Sequence, residues 1–221
     1  MRPIAYVLNL LFPPRCALCR KPLMDRETDL CTSCRCDSPE YIQGKLKLQF
    51  VDSFTAVWYY KGKVRDSLHR YKFRSQRRLA GVYGRMLAMK LLQTNPEGFD
   101  LITWVPISPL RKLRRGFDQD QLLAECIARE LGIPCCRVLK KIRHNPPQSG
   151  LSGYSHRRAN VLGAYRVTDP DAVMGKRILL VDDILTTGAT AGECARMLLT
   201  AGAKEIHCAA VASAHSNKLS R

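Results

Sequence analysis

Apolar positions in this chain fall into short continuous runs, separated by stretches where they recur every three or four residues. The clearest run is Ile178-Leu179-Leu180-Val181, the pattern of a strand buried on both faces, as in a parallel sheet. Residues 53–60 (SFTAVWYY), 100–105 (DLITWV) and 206–212 read as further strands, and 135–139 and 161–167 as shorter ones. Helical spacing marks 64–73, 79–93, 121–131 and 193–200, the third stopped by Gly132 and Pro134 and the last by Gly202. Turns are expected at Asn95-Pro96-Glu97-Gly98, at Pro106 to Pro109 and at Asp169-Pro170-Asp171. Strands and helices in this order describe an α/β fold, a parallel sheet flanked by helices. Residues 1–12 read as a short amphipathic helix or arm, 37–52 as a polar linker and 216–221 as a basic tail. The main domain then spans 53–215.

Beyond the run at 178–181 the residue types change, and the strand acquires the makings of a site. Asp182 and Asp183 stand where the strand should end, followed by a loop of small hydroxylated residues, Thr186-Thr187-Gly188-Ala189-Thr190, and then a helix. Amides of such a loop and of the first helical turn converge on one point with the helix dipole behind them, which suits a phosphate. Threonine hydroxyls add donors and Gly188 permits close backbone approach. Two carboxylates just before a phosphate cradle suit vicinal hydroxyls, or a hydrated Mg2+, on the same ligand. The implied ligand is a ribose phosphate. A receiver domain is disfavoured because no Asp follows Thr190, and a Walker loop because no Gly-Lys-Ser/Thr occurs.

At 221 residues and 46% hydrophobic content the chain suits one ordinary domain plus a small appendage. A formal charge of +17 points to polyanionic partners, nucleic acid or a pyrophosphate-bearing substrate, with an anionic membrane surface as a third choice. The apolar stretch 4–12 is broken by Asn9 and runs into Pro13-Pro14, too short for a membrane span. With no secretory signal, ten Cys point to a reducing cytoplasm and to metal rather than disulfides. Cys16-x-x-Cys19 and Cys31-x-x-Cys34, eleven residues apart, can supply the four corners of a structural Zn2+ site, with Cys36 a spare thiol close enough to replace Cys34. No open coordination position, and so no zinc catalysis, is expected.

Three basic stretches complete the picture. Residues 61–78 carry eight Lys or Arg against the single acid Asp66, interleaved with Tyr71 and Phe73. Such a mixture either binds single-stranded nucleic acid by charge and stacking or forms a solvated helical face with its aromatics inward. Arg111, Lys112, Arg114 and Arg115 follow a strand, where open α/β sheets bind ligands, and are placed to clamp a pyrophosphate. Residues 143–160, rich in Pro, Gly, Ser and His, read as a long loop whose Arg143, Arg157 and Arg158 could close over that group as a lid.

Four of these features together resemble the ComF family, competence-protein relatives of amidophosphoribosyltransferases. They are the Cys knuckle, Arg114-Arg115-Gly116-Phe117-x-Gln119, Gln148-Ser149-Gly150-Leu151-Ser152 with Arg157-Arg158-x-Asn160-Val161, and the stretch ILLVDDILTTGAT at 178–190. Asp118 departs from the Asn usual there. The resemblance implies a cytoplasmic bacterial protein with a type I phosphoribosyltransferase fold and a zinc ribbon, acting in natural competence on incoming single-stranded DNA, with other DNA-uptake proteins as partners. It also implies a ligand, 5-phosphoribosyl-1-pyrophosphate (PRPP) with Mg2+. Asp182 and Asp183 would hold the ribose hydroxyls and the loop 186–190 the 5′-phosphate. As an enzyme the chain would displace pyrophosphate from C1 of the ribose; otherwise it is a nucleic-acid module with a regulatory or vestigial PRPP site. No residue stands out as a general base or as a selector of the acceptor.

Overall fold

A computed structural model describes residues 13–44, 46–74, 76–143 and 161–215. The arm at 1–12, most of the loop at 143–160 (with Arg157 and Arg158) and the tail at 216–221 lie outside them.

In chain order the elements are α1 (Thr32–Asp37), β1 (Ser53–Tyr59), α2 (Gly62–Phe73), α3 (Leu79–Thr94), β2 (Leu101–Trp104), α4 (Pro109–Arg115), α5 (Gln119–Leu131), β3 (Leu139–Lys141), β4 (Tyr165–Val167), β5 (Arg177–Leu185), α6 (Ala189–Thr200) and β6 (Glu205–Ser213). Four strands form one parallel sheet in the order β1-β6-β5-β2, and β3 and β4 form a separate antiparallel pair. β5 runs four residues past the apolar stretch, through both aspartates to Leu185. The expected strand end is therefore the end of its pairing with β2, which stops at Val181, while pairing with β6 continues to Leu185.

Alternate residues of β5 serve two cores, as the two-residue period of a strand requires. Leu179 and Val181 pack with Tyr83, Leu87 and Ile127 of α3 and α5, whereas Ile178 and Leu180 pack with Cys194 and Leu198 of α6. α3 and α5 approach so closely that a Cβ at Gly84 would come 2.6 Å from the Cys126 Cβ. The chain leaving β5 thus turns to one face of the sheet and the chain leaving β2 to the other. That divergence opens a crevice at their carboxyl ends, the usual ligand position in open α/β sheets.

Two expectations need correcting. The segment 37–52 is not a free linker. Its start lies along the outer edge of β1, with Tyr41 N donating to the Val57 carbonyl at 3.0 Å and Tyr59 N to Pro39 at 2.7 Å, and its end joins the sheet through Asp52 N to the Ile206 carbonyl of β6 at 2.9 Å. Tyr41 is buried against Phe54 and Tyr59, and Leu46, Leu48 and Val51 cover the α6 side. Residues 135–139 form no continuous strand: Cys135 makes one parallel bridge to Ile102, and pairing resumes only at Leu139.

The cysteine knuckle is docked rather than hung from the domain. Arg70 Nη2 donates to the carbonyls of Ala17 (2.9 Å) and Leu18 (2.8 Å), and Arg85 pairs with Asp29. Among the described residues no helix is long and apolar enough to cross a membrane.

Candidate functional site

The carboxyl end of β5 gathers more charge than the sequence pattern identifies. Asp182 and Asp183 leave the strand, and Asp183 is almost fully buried. The Asp182 carboxylate accepts from the Asp183 amide at 2.8 Å. Lys72, at the end of α2, places Nζ 2.9 Å from Asp183 Oδ1. A third carboxylate, Asp120, enters from the first turn of α5, and one oxygen from each of Asp120, Asp182 and Asp183 lies within 4.8 Å of the others.

Lys72 and Asp120 are brought here by one tertiary junction. The Tyr71 hydroxyl donates to the Gln119 carbonyl at 2.7 Å and Gln119 Nε2 to the Lys72 carbonyl at 3.4 Å, tying the end of α2 to the start of α5. Asp118 caps α5, accepting from the amides of Asp120 (3.2 Å) and Gln121 (3.3 Å). Asn performs the same capping, so the departure from the ComF pattern at 118 leaves this junction intact.

The electrostatics arise from burial. Burial first, then the charge of Asp183, pushes Asp182 up to about 7. Burial and the neighbouring Asp183, Asp182 and Asp118 hold Asp120 well above the usual carboxylate range. Burial works against the Lys72 ammonium, yet Asp183, Asp120 and Asp182 outweigh it and raise its pKa. A buried carboxylate with no partner is costly, and Asp120 Oδ1 has no hydrogen-bond partner among the described residues. Hard oxygen donors this close, one of them unpaired, fit a divalent cation such as Mg2+.

The Thr/Gly loop begins where β5 ends. Gly188 is the N-cap of α6 with φ 73°, a left-handed conformation that disfavours any side chain. A Cβ there would also collide with Leu48 of the edge segment. Thr186 is exposed, Thr187 and Thr190 are half-buried, and the Thr187 hydroxyl accepts from the Ala189 amide at 3.4 Å. The loop amides therefore lie at the positive end of a 12-residue helix, beside the acidic cluster.

The four expected clamp cations share one element, the helix α4. Ser108 caps it, Pro109 opens it and Gly116 closes it with φ 77°. They do not converge: Arg115 reaches Gln119 (3.0 Å) and stacks over Phe73 (5.3 Å to the ring centroid), and Lys112 reaches Gln121 (3.4 Å). Arg114 points to solvent beside Leu113, which is 82% exposed.

The Sγ atoms of Cys16, Cys19, Cys31 and Cys34 lie within 4.8 Å of one another, Cys19 and Cys31 at 3.6 Å. Sulfurs about 2.3 Å from a tetrahedral Zn2+ sit about 3.8 Å apart, so the set fits that ion closely. Burial opposes ionisation of Cys16, but the amides of Cys19, Cys31 and Leu18 bring its thiol down to about 7. Burial and the crowding of the other three thiols push Cys34 up, a conflict that a shared cation removes. Cys36 is exposed and stands apart from this set.

Comparison with known proteins agrees with this geometry. The phosphoribosyl transferase domain family matches residues 121–221, and the double zinc ribbon domain family matches residues 7–46. Competence protein F of Haemophilus influenzae is 29% identical over 164 residues, 70% of each chain. DNA utilization protein YhgH of Salmonella typhimurium is 33% identical over 144 residues, 63% of this chain and 62% of the relative. The glutamine PRPP amidotransferase of B. subtilis overlaps 64% of this chain and 30% of its own at a TM-score of 0.43 and 25% identity. A parallel sheet with an acidic pair and a Thr/Gly loop at its carboxyl edge, matched by that domain family, defines a phosphoribosyltransferase-type fold, here with a structural Zn2+ ribbon at its N-terminal end. Within that class, the chain is similar to the competence proteins F and ComFC and to the DNA utilization proteins.

Proposed function

We propose that this chain binds PRPP with Mg2+ in the crevice at the end of β5 and transfers the phosphoribosyl group to a nucleophile. The observation that carries the reading is the junction of Asp182 and Asp183 with a Thr/Gly loop that caps α6. Asp182 and Asp183 hold the ribose hydroxyls, and Thr186, Thr187, Gly188, Ala189 and Thr190 hold the 5′-phosphate. The charge of Arg111, Lys112, Arg114 and Arg115 on α4 would favour the pyrophosphate electrostatically, with Arg157 and Arg158 adding to it. Mg2+, when bound, screens the pyrophosphate charge and orients its oxygens. The bond from C1 to pyrophosphate breaks with its electron pair leaving on oxygen, the acceptor bonds to C1, and the acceptor's proton passes to solvent. The residues contribute positioning and charge stabilisation rather than covalent chemistry. Asp182 and Asp183 spread negative charge beneath the cationic sugar that forms as the bond breaks.

The names of the relatives, competence protein and DNA utilization protein, suggest a setting in DNA handling, and we place this chain in the cytoplasm, acting on single-stranded DNA during natural competence. One observation favours a second reading, a nucleic-acid module. Phe73 is 60% exposed, stacked on His69 at 4.7 Å and flanked by Arg115, in a chain of net charge +17. Calorimetric titration of PRPP with Mg2+ decides. Binding by the wild type that vanishes in Asp182→Ala/Asp183→Ala supports the first reading. A folded, zinc-loaded wild type that binds no PRPP, but binds a single-stranded oligonucleotide with steep salt dependence lost in Phe73→Ala, replaces it with the second.

A further inference from the structure

Asp120 is a side chain that the ribose-phosphate reading does not use. Its neighbours make its position costly: three carboxylates, Asp120, Asp182 and Asp183, face one ammonium, Lys72, so without a further cation the buried site must take up protons. Asp120 is 5% exposed, and its Oδ1 is the one buried carboxylate oxygen without a hydrogen-bond partner among the described residues. The other buried carboxylates among those residues are bonded or paired: Asp118 caps α5, Asp183 has Lys72, and Glu193 binds Arg196 and the Gly163 amide. An oxygen left unpaired beside two others, in a site with three carboxylates and one ammonium, suits a cation that displaces protons from the carboxyls, whereas a sugar hydroxyl brings no positive charge.

We propose that Asp120, Asp182 and Asp183 chelate one divalent cation directly, in the absence of any ribose phosphate. The donors are carboxylate oxygens only, the set of a hard cation such as Mg2+, Mn2+ or Ca2+ rather than of zinc. They lie within 4.8 Å of one another. Oxygens bound to one such ion stand between about 3 Å and about 4.8 Å apart, according to whether they are adjacent or opposite, so donors within this bound can share it. Three protein carboxylates make a far stronger cation site than a Mg2+ carried in on PRPP requires. The fold would then carry its metal before the substrate arrives. Cation binding here does not depend on phosphoribosyl transfer, which needs Asp182, Asp183 and the loop but not Asp120.

The test uses the full chain with zinc bound, no PRPP, and Mn2+ as probe, counting free Mn2+ by electron paramagnetic resonance. The wild type holds one Mn2+ per chain, displaced by Mg2+ or Ca2+, and its thermal unfolding midpoint rises as Mn2+ is added. Asp120→Asn, of the same shape, weakens that binding by at least about tenfold and abolishes the rise. Asp120→Ser provides the same reading should the Asn variant fail to fold. A wild type that leaves all Mn2+ free at about 10 mM, or an Asp120 variant that binds it as tightly, overturns the proposal. PRPP titration of the same Asp120→Asn sample reads the ribose-phosphate site separately, so the two readings can fail one without the other.

Discussion

At the amino end of the sheet, His207 of β6 is enclosed by Ser53 and Thr55 of β1 and by Asn95. Its Nε2 lies 3.0 Å from the Thr55 hydroxyl, and its Nδ1 faces Ser53 and, at 3.2 Å, the Asn95 amide. At the carboxyl end of the neighbouring strand, three carboxylates crowd around one ammonium and one of their oxygens has no partner among the described residues. Both ends are buried and polar. Burial drives His207 to its neutral form, about 4 against an ordinary 6.5, and neutral hydrogen-bonding partners then complete it. At the acidic end the same burial, with the repulsion among Asp182, Asp183 and Asp120, pushes Asp182 and Asp120 toward protonation, and no neutral hydrogen-bonding partner completes the Asp120 Oδ1 among the described residues. A polar cluster that satisfies itself is structural; one that leaves a buried oxygen unsatisfied is built for something that arrives from outside.

Substitutions can break this comparison, and their expected effects descend in size. Gly188→Ala strains a left-handed backbone and drives a methyl into Leu48. It should cost about 3 kcal/mol in denaturant unfolding and abolish PRPP binding in calorimetry. Lys72→Met removes the ammonium that faces the acidic end. Stability should fall by about 3 kcal/mol, and most of that should return on adding divalent cation. His207→Leu leaves the Ser53, Thr55 and Asn95 groups without their partner and should cost about 2 kcal/mol, with PRPP affinity unchanged. An equal loss of PRPP affinity in His207→Leu would erase the distinction between the ends.

The acid limb of stability gives a smaller, signed effect. His207 binds its proton near 6.5 when unfolded but only near 4 when folded. The unfolded chain therefore takes up protons first as pH falls. The stability this group supplies is present in full above 6.5 and is lost as pH drops toward 4. Denaturant midpoints measured across that window should slope downward toward acid in the wild type and flatten in His207→Gln. Smallest of all, Arg114→Ala on the exposed side of α4 should leave stability within about 0.5 kcal/mol and weaken PRPP binding only at low salt.

The acidic end of the sheet is only half legible in the sequence. Ile178 to Thr190 is legible because strand, acidic pair, loop and helix are contiguous, so local periodicity carries the whole motif. The cysteine pairs are legible for the same reason. Lys72 is not. In sequence it is one of eight cations in a basic run, and only the tie between Tyr71 and Gln119 turns it toward Asp183. Asp120 reads as an acid in the first turn of a helix, a common and favourable place, and nothing local says that its side chain is buried. The helix α4 does leave a signal, Ser108-Pro109 at its start and Gly116 at its end, which its dense positive charge obscures. The segment 37–52 looks like a linker because its apolar residues Tyr41, Leu46, Leu48 and Val51 follow no period; they pack one by one along a sheet edge.

The most direct test is amide hydrogen exchange on the full chain, with and without PRPP and Mg2+. The ribose-phosphate reading predicts slowed exchange at residues 182–192 and at α4, with no change at residues 95–99 and 204–208 around His207. Protection at the His207 end, or at neither end while PRPP is bound, would contradict it.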